Sequence, residues 1–281
     1  MSQSTRAFVG SSLAALVGAA GLHGLFLAGS NAVWTAAVYL MLFGWITGII
    51  CAVSYHTMPV FSGRDFPRPR LIWLHWAALT TGMLVATPAL IMFWRPGIVG
   101  GLLLQGTAAL VFVANTVLLF RSRRRRPQQP VPPALVGQRE VDLVGRRATQ
   151  VSAISLPVAL GLLAMVWSGS LGAGWLLAAE HLATLGWIML MIMGVGLHVL
   201  PRFSGAALRG AGWARAALYI HLLALALMVP ALGFGWSRTF AAAGLLMAVA
   251  VSLFAWTIWP ALQVVRPRAA PIRLSFKERP R

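Results

Sequence analysis

Residues 39–64 read YLMLFGWITGIICAVSYHTMPVFSGR, and residues 181–206 read HLATLGWIMLMIMGVGLHVLPRFSGA. An offset of 142 residues aligns the two stretches without a gap and superposes their Gly-Trp-Ile, His, Pro and Phe-Ser-Gly positions. Each stretch carries an apolar run of the roughly 20 residues that a helix needs to cross a bilayer. The repeat therefore predicts a membrane protein with two related halves.

The composition extends this prediction to the whole chain, which is 59% hydrophobic and 10% charged. Soluble domains carry about 25% charged residues. Apolar runs long enough to span a membrane lie at about 7–29, 33–55, 71–93, 97–120, 148–168, 174–199, 216–236 and 239–262. A backbone in lipid must satisfy its own hydrogen bonds, so we expect an all-α polytopic membrane protein with about eight transmembrane helices. Each half crosses an even number of times, which predicts two parallel four-helix repeats, at 1–120 and 148–265.

The basic residues predict the orientation of the chain. With the N-terminus in the cytoplasm, 21 of the 23 lysines and arginines fall on the cytoplasmic side, and Arg95 and Arg238 fall outside. This asymmetry predicts cytoplasmic N- and C-termini in a bacterial-type inner membrane. The net charge of +18 is spread over every inner loop, which argues against nucleic-acid binding and favours contact with anionic lipid head groups.

Two basic segments lie outside the repeats. Residues 121–147, rich in Arg and Pro, predict a cytoplasmic linker, and residues 266–281 predict a basic cytoplasmic tail. Four of the five acidic residues are expected in inner loops, namely Asp65, Glu140, Asp142 and Glu278. Cys51 is interpreted as a small packed side chain. The glycines inside the repeated spans are interpreted as packing positions, namely Gly44, Gly48, Gly186, Gly194 and Gly196.

Four of the six histidines occupy repeat-related positions. The offset of 142 relates His56 to His198, and a second histidine follows each copy, His75 in the first half and His221 in the second. At a rise of 1.5 Å per residue, all four are expected in the inner quarter of the membrane. We therefore predict that they approach one another and ligate a haem or a metal ion. The alternative is that duplication copied structural histidines.

A second polar group is predicted near the outer face. His181 begins the second copy beside Glu180, and the offset makes Tyr39 its counterpart. His23 comes late in the first span, and Met165 is its counterpart in the second half. His and Met are both metal-ligand types, so this group is a candidate metal site. An ionisable residue such as Glu180 inside a span is a candidate for proton or redox function.

An arginine follows the repeated histidine near the end of each copy, Arg64 in the first and Arg202 in the second. A guanidinium at the membrane surface suits a haem propionate, because it forms a bidentate ion pair with a carboxylate. The alternative is that these arginines only follow the positive-inside rule.

The segment EHLATLGWIMLMIMGVGLHVLPR, residues 180–202, has a His near the outer start of a span, a Gly five residues later, a mid-span Gly and a terminal Pro. This pattern resembles the even-numbered spans of the catalytic subunits of haem-copper oxidases and of the related nitric oxide reductases. It is also similar to the NnrS family of membrane proteins, which is associated with haem, copper and the response to nitric oxide. Those families have about twelve spans in groups of four, and this chain has two such groups.

The resemblance implies haem b, and copper as a second metal. By position His181 matches a family ligand, and Tyr39 stands where the first-half ligand is expected. The chain has no His-His pair and no His-x-His, which an oxidase needs for its copper and two haems. The resemblance therefore implies a short haem-binding relative rather than a complete oxygen reductase.

Three functions are consistent with these features. The leading hypothesis is a b-type haem protein, alone or with copper, that acts in electron transfer or in redox chemistry of nitric oxide or oxygen. It would work in the lipid bilayer with other respiratory or electron-transfer subunits, and whether it is an enzyme is left open. The alternatives are a transport or assembly factor for copper or haem, and a non-catalytic structural subunit of a respiratory membrane complex.

Overall fold

The structure is a computed structural model that describes residues 2–30, 33–123 and 137–263. The middle of the predicted linker, the predicted tail and Glu278 lie outside the described residues. The helices of the described part are α1 (Gln3–Leu27), α2 (Trp34–Tyr39, Leu40–Ile46 and Thr47–Ser62 in succession), α3 (Arg70–Ile91), α4 (Arg95–Arg121), α5 (Gln138–Trp167), α6 (Gly174–His181, Leu182–Met189 and Leu190–Ser204 in succession), α7 (Ala211–Phe234) and α8 (Ser237–Leu262).

All eight helices are long and apolar enough to cross a membrane, which confirms the predicted all-α polytopic fold. Large apolar side chains such as Val17, Leu84 and Leu245 are between 65% and 73% exposed on the outside of the bundle. Lipid tails are the environment in which such a surface is stable. We call the end of the bundle at which α4 ends and α5 begins the linker end.

The fifth helix begins earlier than the apolar run that predicted it. We expected a linker up to residue 147, but α5 begins at Gln138, directly after Gly137 at φ 84°. Glu140 and Asp142 therefore lie in the first turns of a helix rather than in a loop, where carboxylates interact favourably with the helix dipole. The Gln138 amide also donates to the Leu197 carbonyl at 2.9 Å, which ties this extension to α6.

Both copies of the repeat end in the same way. The glycine of each Phe-Ser-Gly motif, Gly63 or Gly205, adopts a left-handed backbone at φ 64° or 70° and terminates its helix. The Gly63 N–H donates to the Pro59 carbonyl at 3.0 Å, and the Gly205 N–H donates to that of Pro201 at 2.9 Å. Glycine is favoured here because other residues pay a steric penalty in this conformation.

Both copies also contain a stretch of π-helix, which the sequence analysis did not predict. The stretches are Leu40–Ile46 in α2 and Leu182–Met189 in α6, and the offset of 142 superposes their first residues. Side-chain hydroxyl groups donate hydrogen bonds to main-chain carbonyls of these stretches. The Thr47 hydroxyl donates to the Leu42 carbonyl at 2.9 Å, and the Ser152 hydroxyl donates to the Trp187 carbonyl at 2.7 Å. π-Helices are rare and occur frequently at functional sites.

The two halves meet through α4 and α5 and through the two π-helical stretches. Trp187 of α6 is fully buried at this contact, and its indole N–H donates to the Thr47 hydroxyl of α2 at 3.0 Å. Its ring packs edge-on against Phe112 of α4, with the ring centroids 6.0 Å apart. One hydrophobic core therefore runs through both halves.

Glycines set the close approach of several helices, as predicted. A Cβ on Gly44 would lie 2.7 Å from that of Ala15, and one on Gly48 would lie 2.1 Å from the Ser12 hydroxyl oxygen. A Cβ on Gly186 or Gly194 in α6 would also lie too close to neighbouring atoms. The packing interpretation is confirmed at these positions, whereas a Cβ on Gly196 would meet nothing closer than 3.4 Å.

Candidate functional site

His75 lies at the centre of the first half, fully buried on α3. Its Nδ1 is 2.9 Å from the Tyr55 hydroxyl, and its Nε2 is 3.9 Å from the Cys51 Sγ. Cys51 and Tyr55 are four residues apart on α2 and therefore share one helix face. The imidazole thus has one nitrogen held by a hydrogen bond and the other directed at a thiol.

Aromatic side chains enclose this group from the other two helices of the first half. The ring centroids of Phe8 on α1 and Phe112 on α4 lie 5.0 and 5.5 Å from that of His75. Asn115, fully buried on α4, lies beside the Tyr55 hydroxyl. Neither polar atom of its amide makes a hydrogen bond of standard geometry. We call Cys51, Tyr55, His75 and Asn115 the buried polar cluster.

His221 is the counterpart of His75 on α7 and is also fully buried. Its Nε2 donates to the Leu185 carbonyl, inside the second π-helical stretch, at 3.0 Å. Its Nδ1 has no hydrogen-bond partner. By the offset, Met193 and Leu197 stand where the first half has Cys51 and Tyr55. The repeated histidines therefore share burial but differ in their partners.

The other repeated pair lies nearer the surface. His56 is exposed at the linker end of α2. Its counterpart His198 is half-buried, and its Nδ1 lies 3.0 Å from Oδ1 of Asp142 on α5. The same carboxylate accepts two hydrogen bonds from Arg202, at 3.0 and 2.6 Å, and one from the Gln138 amide at 2.9 Å. Asp142 thus joins α5 to α6 through charge-assisted hydrogen bonds.

The four inner histidines therefore occupy different environments. Among the described residues, no group of three or more His, Cys, Asp or Glu side chains is arranged to hold a metal ion. Two surface pockets, one beside Glu140 and one beside Trp256, are lined by residues other than histidine. Joint ligation of one cofactor by all four histidines stays a prediction.

The two arginines predicted to bind propionates are both hydrogen-bonded within the protein. Arg64 donates to the carbonyls of Phe120 and Ser122, where it satisfies the last carbonyls of α4. Arg202 holds Asp142, as described above, and also donates to the His198 carbonyl at 2.5 Å. These bonds give both residues a structural role, and propionate binding stays a prediction.

The predicted outer group is divided among several helices. The imidazole of His181 contacts Phe240 of α8, with ring centroids 6.0 Å apart, and its Nδ1 bonds the carbonyl of Leu177 at 2.8 Å. Tyr39 donates to the buried amide of Gln105 on α4 at 2.7 Å.

The remaining members of the outer group are less enclosed. His23 is exposed and packs against Trp34, with ring centroids 5.6 Å apart. Met165 is 46% exposed, and Glu180 is half-buried. These contacts do not bring the five residues together, and their ligation of a metal stays a prediction.

Several residues of the site were not predicted from the sequence. Cys51 is packed, as predicted, but it also faces His75. Tyr55 was not singled out, although it precedes His56 and follows Cys51 by one helical turn. Gln105 and Asn115 are amides within an apolar span, and that rarity was the available signal.

Comparison with known proteins gives no further guide to function. No model of a known protein family matches the chain, and no curated protein sequence aligns with it significantly.

Proposed function

We propose that the chain is a membrane redox protein with a histidine-bound metal centre. It would act in electron transfer or in redox chemistry of nitric oxide or oxygen. The observation that supports this proposal is the pair of repeat-related, fully buried histidines, His75 and His221, each oriented through one ring nitrogen. Metal-ligating histidines are oriented in this way, because a bond at one nitrogen sets the tautomer of the other.

The buried histidines do not fit haem b as they are packed. Phe8 and Phe112 are in contact with the ring of His75, and Cys51 lies against its Nε2, so a porphyrin has no space there. His221 is also fully buried, and its Nε2 is already bonded to the Leu185 carbonyl, so a haem iron has no free Nε2 to bind. A single metal ion needs far less space. Haem b therefore remains proposed only for the less buried histidines His56, His198, His181 and His23.

Copper transport or assembly is the second candidate function. It is supported by the thiol of Cys51 beside His75, because soft sulfur ligands favour Cu(I). In this reading the metal is cargo rather than a resident redox centre.

We also propose that both termini and the linker are cytoplasmic in a bacterial-type inner membrane. The distribution of arginines supports this orientation, since Arg64, Arg202, the end of α4 and the start of α5 all lie at the linker end. Other respiratory or electron-transfer subunits are the proposed partners.

The test is to purify the full chain in detergent and to measure its metal content, its haem content by alkaline pyridine assay and its midpoint potential. We expect a reversible redox signal that is lost or shifted in His75→Ala and His221→Ala. The matched controls are Leu79→Ala and Leu225→Ala, buried residues four positions further along the same helices. Equal behaviour of histidine and control variants would overturn the proposal, and stoichiometric copper without redox activity would favour copper handling.

A further inference from the structure

We propose that the Cys51 Sγ and the His75 Nε2 together bind one Cu(I) ion in the buried polar cluster. This inference rests on the proposed function for the redox role of the metal, and it names the metal and its ligands. The two ligands come from different helices, α2 and α3, and both side chains are fully buried.

The distance between the two ligand atoms fits a shared metal ion. Bonds from a first-row metal to sulfur and to imidazole nitrogen are about 2.3 and about 2.0 Å, so opposed ligands would lie about 4.3 Å apart. The observed 3.9 Å corresponds to a sulfur–metal–nitrogen angle of about 130° with those bond lengths. A shift of about 0.4 Å would make the arrangement linear. Low-coordinate Cu(I) accepts such geometries.

Tyr55 prepares His75 for ligation. Metal binding at Nε2 requires the ring proton to lie on Nδ1, and the Tyr55 oxygen, 2.9 Å away, accepts that hydrogen. The hydrogen bond between Nδ1 and Tyr55 therefore orients the ring and selects the tautomer that leaves Nε2 free for a metal. Tyr55 is a positioning residue in this site.

The charge of the site favours a monovalent metal. When the metal binds, the S–H bond of Cys51 breaks, the sulfur–metal bond forms, and the proton leaves to solvent. Cu(I) replaces this single positive charge, so the cluster of thiolate, imidazole and phenol stays neutral. Oxidation to Cu(II) would leave one uncompensated charge in a core enclosed by Phe8 and Phe112, so the site favours Cu(I) and is expected to raise the midpoint potential of the Cu(II)/Cu(I) couple.

Asn115 is a buried polar side chain at the edge of the cluster with hydrogen-bonding capacity to spare. Its amide is fully buried beside Tyr55, yet neither polar atom has a partner of standard geometry. Native proteins usually satisfy buried polar groups of this kind with water or an ion.

The second half supplies the matched control. Met193 replaces Cys51 and Leu197 replaces Tyr55, while His221 bonds the Leu185 carbonyl instead of a hydroxyl. The pairing of thiol, imidazole and phenol is therefore confined to the first half.

The experiment is Cu(I) binding to the full-length detergent-purified protein under anaerobic conditions, in competition with bicinchoninate. We expect one Cu(I) per chain, a loss of at least about 100-fold in affinity for Cys51→Ser, and a loss of about 10- to 100-fold for Tyr55→Phe. Met193→Leu, the control, should bind within about twofold of wild type. Size-exclusion elution and thermal unfolding report whether each variant is folded.

X-ray absorption of the wild-type complex tests the site without a variant. The chain has one cysteine, so a short copper–thiolate distance identifies Cys51. Binding of Cys51→Ser as tight as wild type, or a spectrum with no short copper–sulfur bond, would overturn the site. Copper at Cys51 without a redox signal would overturn the proposed function and leave the site intact. A redox signal that persists in Cys51→Ser would overturn only the site.

Discussion

Gly194→Ala tests whether the close contact between α5 and α6 stabilises the second half. A Cβ at position 194 would lie 2.6 Å from the Gly145 carbonyl oxygen and 2.4 Å from the Thr149 methyl carbon. The carbonyl belongs to a helical backbone, so relief requires the two helices to separate. Overpacking of this kind costs about 1–3 kcal/mol. Alanine has a helix propensity about 1 kcal/mol more favourable than that of glycine, which leaves a net destabilisation of up to about 2 kcal/mol.

The assay is reversible unfolding in mixed micelles by titration with sodium dodecyl sulfate, followed by circular dichroism. The control is Gly161→Ala, on α5 itself, where a Cβ would meet nothing within 4 Å. This variant should be neutral or more stable by up to about 1 kcal/mol. Gly145→Ala should repeat the destabilisation, because its Cβ would lie 2.7 Å from the Gly194 carbonyl oxygen. If Gly194→Ala and Gly161→Ala shift the transition equally, the packing argument is wrong.

Four further outcomes are expected. Asp142→Asn should lower the unfolding free energy by about 2 kcal/mol. This loss is smaller than the roughly 3–5 kcal/mol expected for a fully buried ion pair, because Asp142 and Arg202 are each 21% exposed. If the ion pair is responsible, the loss should be smaller at high salt. Thr47→Val should cost about 1–3 kcal/mol in the same assay, since the buried indole N–H of Trp187 loses its acceptor, and an unchanged transition would show that the bond is dispensable. Glu180→Gln should change the pH dependence of the midpoint potential with the absorption spectrum preserved, and identical redox titrations of variant and wild type would remove Glu180 from the mechanism. Reporter fusions in the linker and in the turn before α8 should lie on opposite sides of the membrane, whereas fusions on one side would contradict the parallel repeats.

The sequence by itself determined the eight helices and their division into two halves. Both are local properties, because the length of an apolar run and an internal repeat can be read along the chain. The glycine that ends each copy, Gly63 or Gly205, repeats for the same local reason. The start of α5 was missed because the bond that holds Gln138 is made with Leu197, 59 residues away.

The tertiary structure alone decided the character of the site. His75 and His221 occupy equivalent positions in the repeat. His75 nevertheless bonds a tyrosine hydroxyl, whereas His221 bonds a main-chain carbonyl. A neighbouring helix supplies the partners of each histidine. These partners differ between the halves because the second half has Met193 and Leu197 where the first half has Cys51 and Tyr55. The chemistry of a buried histidine depends on which atoms meet its two nitrogens, and that depends on the packing of separate helices rather than on the periodicity of any one of them.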